Sequence, residues 1–353
     1  MVTHSDPTTQ GGRAGNLRCS VLFAGDDTQS WLGYIRESDK LGFHGLGIGD
    51  SPSIYEDVYM RAMMAASCTG SMRIGPLVTN PLLRHPVVTA DAIATLDHVI
   101  PGRAFVAIGA GDSAAANAGL RHGTIDRLEQ YAATVKTLLT KGSATWEGAT
   151  VKFALKNPAI PVYVAAAGPR TLELAGRIAD GVIVGTGISE EAVSLAFGRI
   201  EKGARAAGRS LEDLDIWFLV HASLADKASD ARSAIVNTLI TKVHATYKSN
   251  AALATMPGHL HAAARNILER YDALHHADFA FEGHKALARE HPELIDYIER
   301  RHTITGDPEM FVQRLEDLHA LGIRNLWIHP RTAFKKDFFR LWSEHVSGLN
   351  WVG

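Results

Sequence analysis

Cysteine is nearly absent from this chain of 353 residues: Cys19 and Cys68 are the only two, too few for a disulfide framework. Neither belongs to a CxxC pair, so neither a redox dithiol nor a cysteine-rich metal site is expected, and a reducing cytoplasm fits. Charge of one sign is not in excess either. With 36 Lys and Arg against 38 Asp and Glu, the formal net charge is −2, which gives no footprint for nucleic acid or an acidic membrane. No apolar run approaches the ~20 residues that cross a bilayer. The first sixteen residues, rich in Thr, Gly and Gln, have no apolar centre of the signal-peptide kind, and residues 1–16 are predicted to be a loose tail. What remains is a 46% hydrophobic chain, long enough to bury a large core, with small-molecule chemistry as the default.

The segment Pro161–Gly185, PVYVAAAGPRTLELAGRIADGVIVG, reads as strand, turn, helix and second strand. Val162–Ala167 is an apolar run suited to a parallel strand buried on both faces. Gly168 and Pro169 turn the chain, with Pro169 at the first helical position, where its missing N–H costs nothing. Asp180-Gly181 ends the helix, Val182–Val184 make the next strand, and Gly185-Thr186-Gly187 follow. The free N–H groups and positive dipole end of such a helix suit a phosphate. Gly168 is equally explained as turn chemistry.

The same rhythm runs through the chain. Strands are predicted at Arg18–Phe23, Gly45–Ile48, Arg73–Val78, Arg103–Ile108, Val162–Ala167, Val182–Val184, Ile216–Ala222 and Asn325–Ile328, with helical patterns between them. Eight strands separated by helices predict a closed TIM-type (β/α)8 barrel occupying residues 17–353 as one domain. The last strand is distant from the seventh. Helical patterns at Ser229–Tyr247, Ala262–Leu274 and Pro292–Arg300 mark an insertion at about 223–304, expected to form a lid or pocket wall. TWEGATVKF predicts a hairpin around Glu147-Gly148.

Function in such barrels gathers at the carboxyl ends of the strands. Those ends carry Gly49-Asp50-Ser51, Val78-Thr79-Asn80 with Arg84-His85-Pro86, Gly109-Ala110-Gly111-Asp112-Ser113, Ala167-Gly168-Pro169-Arg170 and Gly185-Thr186. Asp50 and Asp112 are candidate acid/base groups, and either is also a candidate helix cap. His85, just before Pro86, reads as a structural residue. Arg84 and Arg170 are candidates for a bidentate phosphate contact, Arg170 the better placed. The insertion holds His244, His259, His261, His275, His276, His284, His291 and His302, in spacings unlike a standard zinc pattern, so no metal is expected.

Five motifs in order carry a resemblance: GDSPSIYEDVY at Gly49–Tyr59, RIGPLVTNPLLRHP at Arg73–Pro86, GRAFVAIGAGDS at Gly102–Ser113, AAAGPRTLELAGRIADGVIVG at Ala165–Gly185, and TGDPEMFVQRLEDLHALGIRNLWIHP at Thr305–Pro330. From about Arg18 to Pro330 the chain resembles the bacterial luciferase-like superfamily of flavin and deazaflavin oxidoreductases, especially its methylenetetrahydromethanopterin reductase-like branch. The resemblance implies a barrel with FMN or coenzyme F-420 across the strand ends. Its phosphate would lie at Ala167, Gly168, Pro169 and Arg170 and at the next loop, Gly185 and Thr186. The ring would lie against Leu77, Val78, Thr79 and Asn80, near Gly111 and Ser113. Deazaflavin members have a non-prolyl cis peptide at the position of Leu77–Val78, although related sequences carry glycine or serine where Leu77 stands.

Asp112 matches an acidic proton donor of some deazaflavin members. Ser51 stands where many members place a histidine after the acidic residue of strand two, so a histidine-based proton role does not transfer. That absence tilts the expectation toward a monooxygenase using O₂ and reduced FMN, supplied by a separate flavin reductase, on a small organic substrate. The alternative is hydride transfer with coenzyme F-420; a non-catalytic flavin-binding protein is the third reading. Homodimerisation is implied by the resemblance, through the helices after strands two and three.

Overall fold

The computed structural model describes residues 15–24, 27–111, 113–272, 275, 281–331 and 335–353. Its strands are β1 Arg18–Phe23, β2 Gly45–Ile48, β3 Arg73–Pro76, β4 Val106–Ile108, β5 Ser143–Trp146, β6 Ala149–Lys152, β7 Val162–Ala166, β8 Gly181–Val184, β9 Asp215–Leu224, β10 Thr303–Gly306 and β11 Asn325–Pro330. Eight of them pair side by side in the order β3-β2-β1-β11-β9-β8-β7-β4, all parallel. This is the predicted (β/α)8 barrel.

The circle closes between β3 and β4 across a bulge. Below it, Phe105 N donates to Ile74 O (3.1 Å); above it, Thr79 N donates to Ala107 O (2.9 Å) and Gly109 N to Thr79 O (2.8 Å). Ile74 lies opposite Ala104 and Thr79 opposite Ile108, so the third strand uses one residue more than the fourth between the two bridges. The cis peptide Leu77–Val78 is in that extra length. The predicted strand Arg73–Val78 therefore stops two residues early. The closure also needs Gly75, where a Cβ would fall 2.0 Å from Phe105 O.

Inward-facing Leu22, Phe105, Tyr163, Ile183, Trp217 and Trp327 fill the barrel, while the outward faces of the strands pack on the helices. At the amino end Asp215 accepts hydrogen bonds from Arg18 Nη2 (2.8 Å), Tyr163 OH (2.7 Å) and Trp217 Nε1 (2.8 Å), a polar plug under the aromatic layer. The helix starts follow the sequence signals: Asp57, Thr124, Ser189 and Asp307 cap with their side chains, and Pro86, Pro169, Pro292 and Pro308 occupy first-turn positions. The β5–β6 hairpin forms as predicted, with positive φ at both Glu147 (50°) and Gly148 (80°), the signature of a type I′ turn.

The insertion departs from expectation in two ways. Its helices, Ala228–Thr246, Asn250–Leu253, His261–Arg270, Glu282–Glu290 and Pro292–His302, build an apolar cluster of their own around Leu239, Val243, Ile267 and Ile298. It then ends in a strand, β10, that pairs with the upper half of β9, Thr303 lying opposite His221. β9 is long enough, at ten residues, to hold β8 along its lower half and β10 along its upper half. No helix among the described residues is long and apolar enough to cross a membrane.

Candidate active site

A cleft of about 460 Å³ opens at the carboxyl ends of β2, β3, β4, β7, β8 and β9. Leu77, Val78, Ala165, Ile183 and Leu219 give it an apolar wall, and Asp50, Ser51, Asn80, His122 and Thr171 give it polar edges. The bulge sets the wall in place. A Cβ at Gly47 would meet Leu77 Cδ2 at 2.6 Å, and one at Gly109 would meet Val78 Cγ2 at 2.8 Å, so both neighbouring strands need glycine beside the bulge. Gly111, with φ of 82°, turns the chain after β4 and also lines the cleft.

Asp50 is held by a salt bridge. Arg84 Nη1 lies 2.5 Å from Asp50 Oδ2, and Arg84 Nη2 lies 2.9 Å from Asp57 Oδ2, with the Asp50 side chain only 2% exposed. Asp57 in turn caps the helix Val58–Ala66 through Tyr59 N and Met60 N. Burial alone would lower the Arg84 pKa, but the charge and hydrogen bond of Asp50, together with Tyr59 and Asp57, outweigh it and keep the guanidinium above its ordinary value. Arg84 is thus committed to two carboxylates and does not serve as a phosphate fork. Asp50 caps no helix; it anchors the loop after β2 to the segment after β3.

Asn80 accepts from Leu82 N (3.1 Å) and Leu83 N (3.2 Å) through Oδ1. Its Nδ2, buried on the cleft, has no partner among the described residues, and the buried hydroxyls of Thr79 and Thr186 are likewise without one there. A buried donor left this way costs about 1–3 kcal/mol, so a ligand atom that accepts from Asn80 would be favoured. His85 is structural, as expected: Nδ1 accepts from Val87 N (3.2 Å) at the start of the helix Pro86–Val99.

At the turn after β7, Thr171 Oγ1 takes the Gly168 N–H (3.1 Å) and donates back to Gly168 O (2.9 Å), which leaves the following first-turn N–H groups of helix Pro169–Ile178 facing outward. A Cβ on Gly168 would meet only Thr171 Oγ1, at 3.7 Å, so the space above this helix end is open cleft. Gly185 lines the cleft on the neighbouring strand, its N–H donating to Ala166 O (2.9 Å).

Of the predicted site residues, Asp50, Leu77, Val78, Asn80, Gly111, Ala167, Gly168 and Gly185 line one cleft. Thr79 and Thr186 are buried beside it, Arg170 is exposed in the first turn of its helix, and Pro169 opens that helix. Ser113 begins the short helix Ser113–Asn117, and Asp112 lies outside the described residues. No described residue of the insertion lines the cleft. Sequence reading missed Ala165, Ile183, Leu219, Thr171 and His122. Ala165, Ile183 and Leu219 lie in strands apolar on both faces, and His122, on a loop, carries no periodic signal.

The fit to a flat tricyclic cofactor rests on the apolar wall, the unpaired Asn80 amide and the open space above Gly168 beside Gly185. A family profile described as luciferase-like monooxygenase matches residues 2–325. The chain is 30% identical over 314 residues to a 5,10-methylenetetrahydromethanopterin reductase of Methanopyrus kandleri, covering 82% of this chain and 85% of that one. It is 28% identical to an F420-dependent glucose-6-phosphate dehydrogenase of Nakamurella multipartita, covering 77% and 76%. Among solved structures, the coenzyme F420 dependent tetrahydromethanopterin reductase from Methanopyrus kandleri superposes with a TM-score of 0.78 at 24% identity, covering 94% of this chain and 99% of the other.

Proposed function

The chain belongs to the luciferase-like monooxygenase family, and from that membership we propose that it is a deazaflavin-dependent oxidoreductase, moving hydride between coenzyme F-420 and a small organic substrate. The observation that carries this reading is the 30% identity, across most of both chains, to a methylenetetrahydromethanopterin reductase. A relative named for F420 dependence supports it. The FMN monooxygenase expectation is the weaker reading, because it rests only on Ser51 standing in place of a histidine. A partner flavin reductase is not required by the hydride-transfer reading.

In this reading the first turn of Pro169–Ile178, with Gly168 and the Gly185-Thr186 loop, would hold the cofactor phosphate. The Leu77–Val78 bulge would back the ring and the Asn80 amide would donate to its polar edge. When bound, the cofactor supplies or accepts a hydride. The apolar wall of Leu77, Ile183 and Leu219 keeps water from the reacting face. Asp50, fixed by Arg84, is a positioning carboxylate for the loop after β2, and Asp112 is the proton donor.

Helix Val58–Ala66 exposes Met60 (71%), Met63 (38%) and Met64 (37%), and helix Pro86–Val99 exposes Val88 and Val99. This apolar surface supports the proposal of a homodimer through these two helices.

Anaerobic titration separates the cofactor readings. Reduced F-420 is expected to bind tightly and to show no oxygen consumption on exposure to air, with FMN binding at least tenfold weaker. Tight FMNH₂ binding followed by a long-lived oxygenated species would restore the monooxygenase. Asp112→Asn is expected to lower turnover roughly a hundredfold, a usual general-acid contribution, at unchanged F-420 affinity. Unchanged turnover would remove Asp112 from the chemistry.

A further inference from the structure

Beside the apolar cleft, the other half of the barrel mouth is cationic. β9 alternates, and above Leu219, which lines the cleft, the next inward residues are His221 and Ser223. His221 is paired laterally with His329 of β11 and Thr303 of β10, and the His221 and His329 rings lie 5.3 Å apart. His302, at the end of helix Pro292–His302, and Lys242, on helix Ala228–Thr246, close the group from the insertion side. Arg331 donates to Thr238 Oγ1 (3.1 Å) and lies 3.4 Å from His329 Nε2.

The electrostatic neighbours of the three histidines are Lys242, Arg331, Arg301, Lys335 and one another, with no carboxylate among those described. Lys242 has no ion pair or hydrogen bond among the described residues. His221 Nδ1 and Ser223 Oγ are buried without partners among the described residues, Ser223 being fully buried. Keeping an ammonium, an imidazole nitrogen and a hydroxyl together unsatisfied is costly unless something binds them. His221 and Ser223 follow Leu219 of the cleft wall along β9.

We propose that this cluster is the seat for an anionic group of the substrate, a carboxylate or a phosphate monoester, with Lys242 Nζ as its counter-ion and His221 and Ser223 as hydrogen-bond partners. The inference deepens the hydride-transfer reading by naming the substrate class, and rests on that reading for the identity of the site as catalytic. A neutral imidazole still has one N–H to give, so the buried histidines bind an anion without first gaining charge. Burial lowers the Lys242 pKa to about 8. An anion beside it would raise that value again, so binding takes up protons near pH 8.

The test is calorimetry on the full-length chain with inorganic phosphate and, separately, acetate as probes. It is run in a Gly168→Leu background, so that the helix turn contributes no phosphate site. One anion site is expected, with proton uptake near pH 8, weakened at least tenfold by Lys242→Met and kept by Lys242→Arg. The stronger probe distinguishes phosphate from carboxylate recognition. Affinity within twofold of the parent in Lys242→Met, or no binding of either probe, overturns the proposal. If Lys242→Met does not fold, selenate soaked into wild-type crystals replaces it: an anomalous peak beside Lys242 supports the site, and none there overturns it. Failure of the wild-type protein to bind F-420, with the Lys242-dependent anion site intact, would sink the cofactor reading alone.

Discussion

Gly168→Leu is expected to fold normally and to bind coenzyme F-420 at least a thousandfold more weakly than wild type. Gly168 has φ −109° and ψ 157°, extended backbone that any residue adopts, so its glycine is not a conformational need. Its hydrogen bonds to Thr171 are made by main-chain N–H and C=O and survive substitution. A new Cβ would meet only Thr171 Oγ1 at 3.7 Å, so the stability loss should stay near 1 kcal/mol or below, that of a poor helix cap. The isobutyl group would instead stand over the outward first-turn N–H groups and fill the cleft there. A thousandfold loss corresponds to about 4 kcal/mol, within reach of a displaced phosphate together with a blocked wall. Thermal unfolding alongside fluorescence titration checks both halves. Unchanged affinity would mean the phosphoryl tail is held elsewhere.

Much of the barrel is legible because its strands are short apolar runs between glycines and capped helices, as at Val162–Ala166 followed by Gly168-Pro169. The bulge is not, because nothing in RIGPLV marks an unpaired residue; it appears only when Ile74 and Thr79 are matched against Ala104 and Ile108. β10 escapes for a different reason. Thr-Ile-Thr-Gly is too short to stand out beside a helix, and it becomes a strand only because β9 extends beyond β8. Glycines and polar strand ends found half the cleft, but a barrel strand is apolar on both faces, so Leu219 and Ile183 could not be told from outward Val220 and Val184. Arg84 was visible as a cation, yet its partners lie 34 and 27 residues away on another loop, a distance that spacing does not encode.

Arg84→Met should destabilise the fold by about 3 kcal/mol, the lower end of the usual cost of removing one partner of a buried ion pair. The lower end applies because Arg84 keeps 15% of its side-chain exposure while Asp50 keeps 2%. Methionine preserves the stem and much of the packing against the Tyr59 ring, whose centre lies 5.1 Å from the guanidinium carbon. What is lost is charge, leaving Asp50 buried without its cation. Asp57 loses a partner too. Partial burial opposes its ionisation, but the Met60 N–H and Arg84 hold its carboxyl below the ordinary 3.8. A depressed pKa stabilises the fold above the unfolded value, and that stability is lost as pH falls through the folded one. Without Arg84 the window narrows, and the acid midpoint should move upward. Urea unfolding measures the main effect, and a double-mutant cycle with Asp50→Leu identifies its cause. If the cost is an uncompensated buried carboxylate, removing both charges should recover part of the loss, making Asp50→Leu/Arg84→Met more stable than Arg84→Met alone. Additive losses would instead assign Arg84 a packing role, and would free Asp50 to be reconsidered as an acid at the cleft.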